Sequence, residues 1–256
     1  MLLYDNAFSP FARKVRLVLD HKHLTYDTID GLSRKARDTL ERVNGRVEVP
    51  VLDDDGLVVV GSADIVAYLE RWYPERPVYP RSRGEAVRAR AWERCADTVI
   101  DPILIDISYW NWAKRPDRMP DGLLEAARAD LARVYDALER ELGDRAFVCG
   151  ELSIADLALF PHLAAVRALD VAYDPQRHPR LAAWYKRMRE RDDCARDVER
   201  ARTYLANPAA ADIERDKIFW RGDRIEWVLA RGYHAWFVRE IDEGRVLWPG
   251  LGVPKT

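Results

Sequence analysis

A serine and a proline stand at residues 9 and 10, where thiol–disulfide chemistry would place a cysteine and a proline. The stretch NAFSPFARKVRLVLD, residues 6–20, has the layout of a redox loop: a short strand, then x-Pro-x, then a basic amphipathic helix. Both sulfur positions are empty, being Ser9 and Ala12, so a two-cysteine exchange at this loop is excluded. What is left is a hydroxyl at a helix N-terminus, where unpaired N–H groups and the positive end of the helix dipole favour an anion. Read on its own, Ser9 is equally a plain N-cap, with Pro10 at the first helical position.

Two further places carry polar backbone in useful positions. Val49-Pro50 opens an apolar run, and a cis proline there leaves the preceding N–H and C=O free for a peptide-like ligand to pair with as an added strand. Ser62 opens the run SADIVAYLERW, and its hydroxyl and N–H at a helix start suit a carboxylate. The three cysteines, Cys95, Cys149 and Cys194, have neither metal nor redox spacing and are expected as reduced, buried thiols of a cytoplasmic protein. HKH, residues 21–23, ends a helix, where cations are favourable, and no metal role is assigned to it or to any other residue.

These groups need elements to hold them. MLLY reads as a buried strand, 10–22 as an amphipathic helix, 25–30 as a strand and about 33–42 as a polar helix. VPVL, the turn DDDG and LVVV read as a hairpin, and 62–72 as a capped helix, giving β-α-β-α-β-β-α over residues 1–75. YPERPVYPRSRG (73–84) is a proline-rich linker. Beyond it the pattern is all-helical: 84–114, 121–142, a helix in GELSIADLALF with Ser153 and Asp156 as a capping box, and another from 178. The first unit is therefore expected at 1–75 and an all-helical unit at 84–205, with a tryptophan-rich extension at 206–256. The extension holds four tryptophans, Trp220, Trp227, Trp236 and Trp248, and Ile213, Trp220, Trp227, Val228, Trp236, Phe237 and Ile241 are too many large apolar groups for a free tail. Two helices, 212–231 and 233–243, broken at Gly232, are expected to dock on the helical unit.

The bulk numbers set limits. The 256 residues are 48% hydrophobic and 33% charged, with a formal net charge of -2, which argues against a dedicated nucleic-acid binder. The basic run RSRGEAVRAR (81–90) has acids nearby at helical spacing and reads as a solvated face. No signal peptide and no apolar run of membrane-spanning length is seen.

SPFARKVRLVL, VEVPVLDDDG, GSADIVAYLE and LSIADL, in this order, resemble the cytosolic glutathione transferases over about residues 1–205. The chain looks like a serine-type, bacterial-like member with a C-terminal extension. The resemblance implies a thioredoxin-like N-terminal domain that binds glutathione, an all-helical domain that binds a small-molecule electrophile, and a homodimer engaged in detoxification. The opening loop then has a chemical reading: the helix field and the Ser9 hydroxyl stabilise the thiolate that glutathione brings in. Tyr4 is the rival, because some members use an N-terminal tyrosine, but it lies within the strand pattern. The resemblance further implies glutathione contacts at Phe11, Lys35, Val49, Pro50, Gly61 and Ser62, with the cysteinyl backbone at Val49 and the γ-glutamyl carboxylate at Ser62. It departs at Gly61, where the family usually carries Glu or Gln, and at Glu48, of the wrong sign for the glycyl carboxylate, a role left to Lys35 or Arg37. Tyr109, Trp110 and Trp112 are the expected electrophile-side aromatics, although residues of this kind also serve as core or dimer contacts. Two functions stay open: thiol transfer to an electrophile, or a non-catalytic binding module of the same fold.

Overall fold

The computed structural model describes residues 1–112, 117–206, 218–219, 221–247 and 252. The side chain of Trp112 lies outside the described residues, as do Ile213, Trp220 and Trp248. The first unit runs β1 (Leu2–Asp5), α1 (Pro10–His21), β2 (Asp27–Asp30), α2 (Arg34–Asn44), β3 (Val51–Asp54), β4 (Leu57–Val60) and α3 (Ser62–Trp72), the order read from the sequence. The sheet order is β2-β1-β3-β4, with β1 parallel to β2 and antiparallel to β3, and β3 antiparallel to β4. Tyr4 pairs with Val51 and Ile29 and is buried, so it is a packed strand residue.

α1 departs from the amphipathic reading in one respect: its basic face is not solvated. Ala12 to Leu19 are all buried, because the sheet and α3 cover one side while helices of the second unit cover the other. Arg13 pairs with Asp197 at 2.8 Å, and Arg16 with Asp5 and Asp197 at 2.6 Å each. Lys14 pairs with Glu93 at 3.1 Å and Asp97 at 2.6 Å. Removing one member of such a buried pair strands its partner, at about 3–5 kcal/mol. The helix that carries Ser9 is thus held rigidly between the two units.

The helical half continues with α4 (Arg83–Cys95), a π-helical turn (Ala96–Ile100), α5 (Asp101–Trp112), α6 (Leu123–Leu142), α7 (Ile154–Leu163), α8 (Pro179–Arg189) and α9 (Asp192–Ala206). The single helix expected over 84–114 is therefore interrupted by one wide turn, which carries Asp97 and runs into Asp101. The capping box at Ser153 and Asp156 is formed, and buried Asp156 also accepts from Val148 N at 3.0 Å and Trp184 Nε1 at 2.8 Å. The run at 81–90 lies on α4, where exposed Arg88 meets Glu141 at 2.7 Å.

In the extension β5 (Ile218–Phe219) pairs in parallel with β6 (Val246–Leu247), and α10 (Gly222–Ala230) and α11 (His234–Asp242) lie between them. The helix expected over 212–231 begins only at Gly222, with a strand at 218–219, and α10 and α11 dock on the helical unit as expected. Val228, Trp236 and Phe237 pack against Tyr109 and Trp110, and Trp227 Nε1 donates to Asp130 at 3.0 Å. The two-residue strands were not foreseen. Among the described residues no helix is long and apolar enough to cross a membrane.

Candidate active site

Ser9 is the N-cap of α1. Its Oγ accepts from Ala12 N at 3.4 Å, a long bond that leaves the hydroxyl proton free to donate outward. Its own N–H goes to Asn6 O at 3.1 Å, which fixes the loop. Phe11, in the same first turn, lines a groove of about 180 Å³ together with Asn44, Arg46, Glu48, Val49, Pro50, Val60, Gly61, Ser62, Asp64 and Gly252. The Val49-Pro50 bond is cis, and neither backbone polar group of Val49 has a backbone partner among the described residues. Ser62 opens α3 at the groove, and the N-terminus of that helix has no side-chain cap on its first N–H groups among the described residues.

The structure therefore brings Phe11, Val49, Pro50, Gly61 and Ser62 around one groove, while Ser9, two residues before Phe11, is not among the residues that line it. Lys35 is not among them: it is exposed on α2, and the cation in the groove is Arg46, which Glu48 pairs at 3.0 Å. The wrong-sign glutamate is thereby neutralised. The backbone of Gly252, at φ 63°, passes close to the Arg46 guanidinium, which would have to shift for a side chain there. Sequence reasoning also missed Asp64. Gly61 has φ 85°, a left-handed conformation that favours glycine, and a Cβ built there would lie 3.3 Å from Asp64 Oδ2. An acid thus occupies the space a Glu at position 61 would use. Its signal was an Asp three residues after Gly61, in the first turn of a helix.

Tyr109 and Trp110 face the extension rather than an open cavity. Their ring centroids are 5.4 Å apart, and Trp110 lies 5.7 Å from Trp236. The side chains that approach α1 from the helical half are others. His162 meets Phe11 edge-on at 6.1 Å, and Arg221 lies over the Phe11 ring at 4.5 Å. Arg221 and Arg224 both reach Asp101, at 3.3 and 2.9 Å. Burial pushes the Asp101 carboxyl up, but Arg224, the His162 contact and Arg221 outweigh it and hold Asp101 well below the usual carboxylate range. Asp106, buried nearby with Oδ2 unpartnered among the described residues, is pushed well above that range by desolvation.

None of the chain's three thiols lines the groove. Burial raises all three, Cys149 to about 11, and none has a disulfide partner. Thiol chemistry at this site therefore depends on a thiol that arrives from outside.

The N-terminal domain model of the glutathione S-transferases matches residues 3–77 and the C-terminal domain model matches 121–187. The chain belongs to the glutathione S-transferase family. A probable glutathione S-transferase of Oryza sativa subsp. indica is 30% identical over 77% of this chain and 89% of its own. The pyrimidodiazepine synthase of Drosophila melanogaster is 33% identical over 73% and 76%. A solved glutathione transferase homologue from Drosophila mojavensis, with bound glutathione, has a TM-score of 0.66 at 22% identity, covering 83% of this chain and 97% of that one, a likeness of fold. The α/β first unit followed by the all-helical one is the fold of this family, and the function is glutathione transferase-like.

Proposed function

We propose that the chain transfers the thiol of glutathione to a small electrophile, with Ser9 donating a hydrogen bond to the thiolate. The observation that carries this reading is the Ser9 hydroxyl, spent only as an acceptor toward Ala12 N, at the N-terminus of a rigid helix whose first turn lines the groove. A hydrogen bond to a charged acceptor contributes about 1.5–3 kcal/mol, and one pKa unit is about 1.4 kcal/mol, so Ser9 lowers the bound thiol by roughly one to two units. The cysteinyl backbone pairs with Val49, and the γ-glutamyl carboxylate takes the N–H groups at Ser62. Asp64 receives the γ-glutamyl ammonium in place of an acid at Gly61, and Arg46 stands nearest the glycyl carboxylate. The extension covers the electrophile side, where Arg221 and Arg224 tie α10 to Asp101.

Tyr109 and Trp110 then support that cover rather than touch the electrophile. A homodimer is part of this reading, supported by Leu57, Trp72, Val87 and Val99, which are left exposed on β4, α3, α4 and the π-helical turn. A cytoplasmic setting suits three reduced thiols. Calorimetric titration with reduced glutathione, followed by turnover of an activated aryl halide, tests the proposal. No glutathione binding by the folded protein would refute it, and binding without turnover would favour the non-catalytic module.

A further inference from the structure

With the sulfur held at Ser9 and the peptide along Val49 and Ser62, the open side of the sulfur faces away from β3 and α3. The elements opposite are the π-helical turn and α5, α7 and α10, and their meeting point with α1 is the Phe11 ring. One part of that ring lines the groove, while His162 lies at 6.1 Å and the Arg221 guanidinium carbon lies 4.5 Å from its centroid. Arg221 is fixed from its far side. Its Nη2 donates to Asp97 O at 3.1 Å, to Asp101 Oδ2 at 3.3 Å and to Asp223 Oδ2 at 2.9 Å. Its Nε is buried with no hydrogen-bond partner among the described residues.

We infer that Arg221 is a positioning residue for the second substrate, setting the Phe11 ring that walls the electrophile side of the sulfur. The inference rests on the reading of Ser9 given above. Neither matched family domain, at 3–77 and 121–187, reaches residue 221, so this determinant belongs to the extension of this chain. Freeing Arg221 releases the ring on the electrophile side. The γ-glutamyl end and backbone of glutathione, held at Val49, Ser62 and Asp64, are untouched.

The test compares reduced glutathione with S-hexylglutathione by calorimetry on the full chain, as wild type, Arg221→Ala and Arg221→Lys. Arg221→Ala lowers the affinity ratio of the S-hexyl compound to glutathione by roughly two- to fivefold, the factor an ordinary cation–π contact makes. The affinity for glutathione itself changes less than that for the S-hexyl compound. Arg221→Lys keeps the charge but not the planar face, and behaves like the alanine variant. Should Arg221→Ala fail to fold, Arg221→Gln, with an amide donor toward Asp101, carries the same comparison. An unchanged ratio, an equal loss for both ligands, or full rescue by lysine overturns the inference. A wild type that binds neither ligand overturns the Ser9 reading itself and the inference with it, an outcome distinct from binding with an unchanged ratio.

Discussion

Replacing Asp64 by asparagine removes the carboxylate that stands beside Gly61 at the start of α3. Asp64 is exposed, so the low end of the range for a hydrogen bond to a charged group applies, about 1.5 kcal/mol, or roughly tenfold in Kd for glutathione. The fold itself loses at most about 1 kcal/mol, the worth of an acid in the first turn of a helix. Gly61→Glu, which restores the family residue, does not give the tenfold gain that its charge suggests. At φ 85° a side chain costs about 1–2 kcal/mol, and this cost falls on folded free and bound protein alike, so it lowers Tm rather than Kd. The new Cβ also starts 3.3 Å from Asp64 Oδ2, so the two acids compete for one ammonium. The expected change in Kd is therefore below about threefold, less than the single charged contact would give. The double variant Gly61→Glu, Asp64→Asn binds better than Asp64→Asn alone, because the new acid then works unopposed. Calorimetry on the four proteins, with Tm read in parallel, gives the coupling directly. An analogue of glutathione without its α-amino group should not distinguish Asp64→Asn from wild type. Unchanged binding by Asp64→Asn, together with tenfold tighter binding by Gly61→Glu, would refute the assignment.

Other consequences are equally measurable. Asp101→Asn removes the carboxylate that both Arg221 and Arg224 reach, so the extension should loosen and become the first site of limited proteolysis; unchanged resistance would sink the latch. Asp156→Ala strands Val148 N, Ser153 N and Trp184 Nε1 inside the helical half and should lower stability by several kcal/mol, at about 1–3 per buried group, while Asp156→Asn loses less. His21 is held down to about 4, first by burial and then by Arg191 and Arg76. The folded protein prefers the neutral ring, so this stability is present above the ordinary value of 6.5 and is lost as pH falls from there toward 4. His21→Gln should lose less Tm over that interval, and an equal loss would rule His21 out as a cause.

Those parts of the site that rest on local rules were legible in the sequence. Ser9 and Pro10 cap a helix, Val49-Pro50 opens a strand, and Ser62 opens another helix, each from two or three adjacent residues. The order of the first unit followed from short alternating runs, and the docking of the extension from its tryptophans. What escaped depends on the tertiary meeting of distant segments. Arg46 rather than Lys35 enters the groove because of where the α2–β3 loop returns, and no spacing rule encodes that return. Arg221 reaches Phe11 across 210 positions of sequence, and the carboxylates that bury the basic face of α1 come from α9, α4 and the π-helical turn. The wide turn at Ala96–Ile100 has no compositional mark, and the β5–β6 pair is too short for periodicity to register. HKH was expected to place cations at the end of its helix, but its members part ways. Lys22 reaches past its own helix to Tyr73 O at 2.8 Å, after α3, while burial holds His21 toward the neutral ring.

The claim that everything else depends on is the hydrogen bond from Ser9 to a thiolate. Ultraviolet titration of the thiolate of bound glutathione, in wild type and in Ser9→Ala, reads it without reference to any electrophile. Alanine removes the donor and leaves the helix field, and the N-cap loss of about 1 kcal/mol is small enough for the fold to survive. The account predicts that the bound thiol of the variant titrates roughly one to two pH units higher than that of wild type. Identical titration curves, with glutathione bound equally well by both proteins, would contradict it.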